Sequence, residues 1–208
     1  MMMMIALPTY AADNEIFITQ SGTTANIDLE QLGSSNIIGG LNAAAGSMTT
    51  LDLDGNAFTL DINQIGNTNK FLGDIWGDNV TAFFEFDGDS NTFTIQADPT
   101  NTYGIDNSNL NVDVTGSTNT FTLNQGTTAL AATLDLDWVI NGTGNTVVSN
   151  INYDGATNFM DIDGNSNTVN FTGSGYAGGY FYLDQTGNNM TFNVQQLSTQ
   201  DNDWLKII

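Results

Sequence analysis

Apolar and polar residues alternate along most of this chain with a period of two. In FFEFDGDSNTFTIQ (83–96), Phe84 and Phe86 alternate with Glu85 and Asp87. After the GDSN turn, Asn91, Phe93 and Ile95 share the opposite parity. LNVDVTGSTNTFTLNQ (110–125) and MDIDGNSNTVNF (160–171) have the same form. Period two over four to six residues marks a half-buried strand. Glycine and asparagine between two such runs mark a tight turn, because both tolerate backbone shapes that other residues avoid. Each unit therefore reads strand, turn, strand.

The units repeat. Gly-x-x-Asn occurs at 33–36, 66–69, 88–91, 116–119, 142–145, 155–158 and 164–167. Glycines 22, 33, 55, 66 and 88 are separated by 11, 22, 11 and 22 residues. Such units form either a meander of hairpins or a β-solenoid in which equivalent strands stack in parallel. The amides decide between them. Gln31, Asn36, Gln64 and Asn69 fall on the parity of the apolar residues and so point inward. A lone buried amide costs free energy unless it is hydrogen-bonded. In a solenoid, identical residues lie directly above one another and bond from rung to rung. The expected ladder comprises Gln31, Gly33, Asn36, Gln64, Gly66, Asn69, Gly88, Asn91, Gly116, Asn119, Gly142, Asn145, Gly164 and Asn167. The expectation is an all-β solenoid of about 22-residue strand-turn-strand rungs, about nine of them in a rod near 40 Å long. It would span residues 16–196, between an apolar segment or signal remnant at 1–15 and a cap or docking tail at 197–208. Phe58, Phe93, Phe121, Val147, Val169 and Phe192 point into its core. The runs at 38–48, 97–109, 126–133 and 173–181 break the regularity as insertions.

Gln31-x-Gly33-x-x-Asn36 and Gln64-x-Gly66-x-x-Asn69 resemble the curlin repeat of bacterial curli fibre subunits. The resemblance weakens toward the C-terminus, where the Gln before Gly is mostly lost. The residue after the Asn is bulkier than the Ala common in that family, as in Asn91-Thr92-Phe93. The resemblance implies a solenoid with inward amide ladders whose ends pair edge to edge into an extracellular amyloid-like fibre. Structural proteins of marine bacteriophage virions are also similar in repeat and composition, which implies a virion component as the alternative.

Charge removes whole classes of function. The 208 residues hold two basic side chains, Lys70 and Lys206, and 23 acidic ones, for a net charge of −21. No cationic footprint for nucleic acid or an anionic membrane can be built from them. Without His or Cys there is no imidazole, thiol or disulfide. No run is long enough for a membrane-spanning helix. What remains is cations, neutral sugars, or other copies of the chain.

Outward acids recur as pairs at matching positions of the repeat, where they are expected to stack on adjacent rungs and repel. Beside Asp28 and Glu30, the candidate calcium ligands are Asp52, Asp54, Glu85, Asp87, Asp135, Asp137, Asp161 and Asp163, since calcium gathers six to eight oxygens. The competing reading is a solvated face that blocks sideways sheet association. No cofactor is required. Carboxylate pairs also raise glycosidase chemistry, which needs two carboxyls in a cleft. Their regular placement along the repeat argues against an enzyme. Trp76, Tyr103, Tyr176, Tyr180 and Tyr182 are candidates for glycan stacking, whereas Trp138 and Tyr153 share the core parity. Trp204, Leu205, Ile207 and Ile208 form an apolar tail suited to an assembly contact. The expected function is a non-enzymatic structural subunit of an extracellular or virion assembly, joined to itself or to other subunits. A carbohydrate-binding adhesin is a further alternative.

Overall fold

The computed structural model of the protein describes residues 15–33, 36–42, 47–49, 51–66, 69–97, 105–125, 131–175, 179–198 and 204–208. The apolar segment at 1–14, Tyr103 and Tyr176 lie outside the described residues. Every regular element among those described is a strand. The strands form two long parallel sheets, so the chain is a β-solenoid. The first sheet stacks eight strands: Asn26–Leu32, Thr59–Ile65, Thr81–Asp87, Asn109–Thr115, Asp135–Asn141, Thr157–Asp163, Tyr180–Thr186 and Trp204–Ile207. The second sheet takes the alternate strands, among them Lys70–Trp76, Thr92–Ala97, Thr120–Gln125, Thr146–Asp154, Thr168–Gly175 and Thr191–Ser198.

The first sheet has eight strands, fewer than the nine rungs expected. The reason lies in the insertions. Paired residues are 22 apart at Thr59↔Thr81 and Asp135↔Thr157, but 33 apart at Asn26↔Thr59, 28 at Thr81↔Asn109 and 26 at Asn109↔Asp135. The runs at 38–48, 97–109 and 126–133 lengthen those turns of the coil without adding rungs. At the first of them Gly40–Asn42 pairs antiparallel with Ser47–Thr49 as a separate two-stranded sheet. The strands on either side of it, Ile37–Ile38 and Leu51–Asp54, both pair with Lys70–Trp76, so the sheet closes beneath the insertion.

Inner side chains of the two sheets meet in a thin aromatic core. One column of the second sheet reads Ile16, Ile38, Phe71, Phe93, Phe121, Val147, Val169 and Phe192. The facing columns of the first sheet carry Phe84, Phe86, Trp138 and Phe181. Across the core Phe86 stacks on Phe93 at 3.6 Å between centroids, Phe171 stacks on Phe181 at 4.1 Å, and Phe121 meets Trp138 edge-on at 4.7 Å. Trp138 is fully buried; the side chain of Tyr153 lies outside the described residues.

The eleven-residue spacing of glycines has a geometric cause: the solenoid has two corners per turn. Gly33, Gly66, Gly88, Gly116, Gly142, Gly164 and Gly187 line one corner, while Gly22, Gly55 and Gly77 line the other. Neighbours within a column pack backbone on backbone. A Cβ on Gly142, whose φ is +145°, would lie 1.8 Å from the Gly116 carbonyl oxygen, so no other residue fits there.

Candidate assembly surfaces

The amides sit at the first corner. Asn36, Asn69, Asn91, Asn119, Asn145 and Asn167 are all buried. Their bonding differs from a ladder of side chain on side chain. From Asn119 onward each amide grips the backbone of the preceding turn. Asn119 N–H donates to Asn145 Oδ1 at 2.8 Å, while Asn145 Nδ2 donates to the Gly116 carbonyl at 3.0 Å. Asn167 treats Asn145 and Gly142 alike, at 2.8 and 2.9 Å, and Asn119 treats Asn91 and Gly88 alike, at 2.8 and 3.0 Å. A tight turn exposes backbone groups that its own chain cannot satisfy, and the next rung supplies the partner. At the first rungs the amide bonds within its own turn, Asn36 to Gly33 and Asn69 to Gly66, both at 3.3 Å.

Among the described residues, one inward amide bonds another directly, while Asn150 on Asn124 and Asn193 on Asn170 pair on the outer face. Gln64 Nε2 donates to Gln31 Oε1 at 2.7 Å. The column then continues as Phe86, Val114, Ile140 and Ile162 before returning to Gln185. Gln64 Oε1 has no partner, because the phenyl ring above it offers no donor.

Residues not singled out in the sequence also brace the turns. Asn56, Asp78, Asp89 and Asn165 each follow a corner glycine, and each accepts a backbone N–H from the following rung at 2.7 to 3.0 Å. An Asn or Asp directly after the glycine was the available signal.

The acid pairs do not form continuous ladders. Asp135 and Asp137 stand opposite Thr157 and Phe159, not opposite Asp161 and Asp163. The reason is their place in the strand: Asp161 and Asp163 immediately precede the corner Gly164, while Asp135 and Asp137 begin their strand, well before Gly142. Asp87 is opposite Ile65 and Thr115, and Asp54 is opposite Ser21 and Trp76. Like charges stack only in short runs, as Asp28 on Asp61, Glu85 on Asp113, Asp52 on Asp74 and Asp161 on Asp184. Asn63 Nδ2 donates to Glu85 Oε2 at 3.3 Å and eases one of them. Among the described residues no three acidic side chains gather into a group that could hold a metal ion. Partial loss of water pushes the Asp113, Asp135 and Asp161 carboxyls above the usual aspartate value. Neighbouring carboxylates add to this: Asp87 for Asp113, Asp137 for Asp135, and Asp163, Asp184 and Asp137 for Asp161.

The outer faces differ. Acids crowd the first sheet, whereas Thr92, Thr120, Thr146, Thr168 and Thr191 form one in-register column on the second. Trp76 is half-buried rather than a free stacking platform. Tyr180 and Tyr182 are half-buried on the first sheet's outer face and touch Phe159, at 5.6 and 5.8 Å between centroids. Tyr180 also stacks on Trp204 at 6.1 Å, and Lys206 Nζ lies 5.0 Å from the Tyr182 ring centre.

Both ends of the described coil are open. At one end Asn26–Leu32 is the outermost strand of the first sheet, and Ile16, Ile18, Ile27 and Leu29 are only partly covered although they belong to core columns. At the other end Met190, Phe192 and Val194 are partly covered. The apolar tail is not a separate segment: Trp204–Ile207 is the last strand of the first sheet. Leu205 and Ile207 continue core columns yet remain 48% exposed each, because no described rung covers them.

No protein-family model, no curated protein and no solved structure matches this chain.

Proposed function

We propose that the protein is a non-enzymatic structural subunit that self-associates end to end into an extended β-solenoid fibre or matrix. The observation that carries this reading is the pair of open ends. Among the described residues each presents the outermost strand of the first sheet, together with core-column side chains left partly in water. Edges of this kind pair with other chains by strand addition. The sides are less suited to the task. The first sheet's outer face is crowded with carboxylates, which repel a second such face and keep the rods apart.

Purified protein should form unbranched filaments in a concentration-dependent way. Fibre diffraction should show a repeat of about 4.7–4.8 Å along the axis, from strands running perpendicular to it. A chain that stays monomeric across concentration, salt and mildly acidic pH removes this reading.

A further inference from the structure

We propose that the joint is head to tail and in continuous register, with Lys206 of one copy set against Asp28 of the next; this rests on the assembly reading above. The strand path allows it. At the C-terminal end the chain lays down Thr191–Ser198 on the second sheet and then Trp204–Ile207 on the first. At the N-terminal end, residues 15–21 lie on the second sheet and Asn26–Leu32 follows on the first. The two steps are complementary, so a second copy continues the coil in both sheets at once.

The columns then match. Ile16 belongs to the column that ends in Phe192, and Ile18, one residue before Thr19, falls in the column that ends in Val194. On the first sheet, Ile27 and Leu29 begin the columns that end in Leu205 and Ile207. Apolar thus meets apolar at all four inner positions. Gln20 and Gln196 open and close one further column, in backbone register with Leu53, Ile75, Ala97, Gln125, Ile151 and Gly173. Stacked across the joint they would face each other as Gln31 and Gln64 do within the chain.

Charge sets the polarity. The outer column that begins at Asp28 runs through Asp61, Phe83, Asn111, Asp137, Phe159 and Tyr182 to Lys206. Lys206 is one of only two cations in the protein, and it sits on the last strand of that sheet. At the opposite end Asp28 and Glu30 are exposed. Two N-terminal ends would bring carboxylates together, whereas head to tail brings Lys206 onto Asp28. A joint between unlike ends does not close on itself, so it propagates as a filament.

The test is a charge swap. Lys206 and Asp28 both lie on exposed outer positions, so the fold is expected to survive substitution; circular dichroism checks this. Lys206→Glu and Asp28→Lys should each raise the critical concentration for assembly, on the order of tenfold at low salt, because each turns an attraction into a repulsion. The double variant, Lys206→Glu with Asp28→Lys, should return it to near the parental value. If the parent assembles and both single variants assemble equally well, the register is wrong while the assembly reading stands. If the single variants lose assembly and the double variant does not regain it, the pairing of these two residues is wrong. A parent that never assembles removes the assembly reading and the joint with it.

Discussion

Asn145 shows how one side chain holds two turns at once. Its Oδ1 accepts the Asn119 N–H and its Nδ2 donates to the Gly116 carbonyl, in a buried corner. Asn145→Ala deprives the Asn119 N–H of this acceptor, at a cost of about 1–3 kcal/mol. The expected result is a lower urea midpoint with an unchanged slope. Asn150→Ala is the control: that residue bonds to Asn124 on the exposed outer face, and its loss should cost no more than about 0.5 kcal/mol. The Gly-x-x-Asn spacing made these amides legible as inward and recurrent. Their partners were not legible, because a repeat shows which side chains align and not which backbone groups a tight turn leaves unpaired. The third turn residue was equally hidden. Ser90, Thr118 and Ser166 adopt φ near +60°. A β-branched residue such as Thr118 does not advertise that conformation. The rungs on either side impose it through backbone bonds such as Ser90 N–H to the Ser117 carbonyl at 2.9 Å and Thr118 N–H to the Thr143 carbonyl at 3.0 Å.

At the scale of the strand, the glutamine column sits at a change of core chemistry. Gln31 and Gln64 occupy two successive rungs, after which the same inward position is held by Phe86, Val114, Ile140 and Ile162. Within this column aromatic packing begins where the amides stop, with Phe86 stacked on Phe93. A single change at Gln64 would take the donor from Gln31 Oε1, whose amide nitrogen still bonds the Ile37 carbonyl, but replacing both glutamines by apolar groups of similar size removes that acceptor and the unpaired Gln64 Oε1 as well. The double variant Gln31→Leu/Gln64→Leu should therefore unfold within about 1 kcal/mol of the parent in a denaturant titration. A large loss would show that the amide pair fixes the register of the first rungs. The alternation that marks each strand was plain in the sequence. The acid register was partly so, since the distance of each acid from the corner glycine separates Asp135 and Asp137 from Asp161 and Asp163.

For the molecule as a whole, the dominant fact is a net charge of −21 spread over a rod. The Asp113, Asp135 and Asp161 carboxyls are raised above the ordinary value, first by loss of water and then by neighbouring carboxylates. Each therefore binds its proton more readily in the folded rod than in the unfolded chain. Folding stability then increases as pH falls through these values, and the gain is lost as pH rises above them. The melting temperature should accordingly rise as pH falls from neutral toward the ordinary aspartate value of 3.8, the opposite of the usual acid destabilisation of paired carboxylates. The measurement belongs in dilute solution, because the isoelectric point is about 4.1 and loss of charge also favours association. A melting temperature that falls steadily over that range would show that the raised values do not govern stability.

The sequence by itself determined the strand period, the inward asparagines, the glycine corners and the parallel stack. These follow from local rules: alternation selects a face, the corner that runs from Gly66 to Gly187 allows only a residue without Cβ, and identical residues at a fixed interval align. Tertiary structure decided how many rungs form, because an insertion of 6 or 11 residues lengthens a turn of the coil without adding a rung, as the 28- and 33-residue offsets beside the regular 22 show. It also decided which backbone groups the amides satisfy, and that Asp28 and Lys206 share one column from end to end of the rod. A column is the product of seven successive pairings across variable loops. Which residues each loop takes up is set by the packing of its neighbours, and no local pattern records the sum.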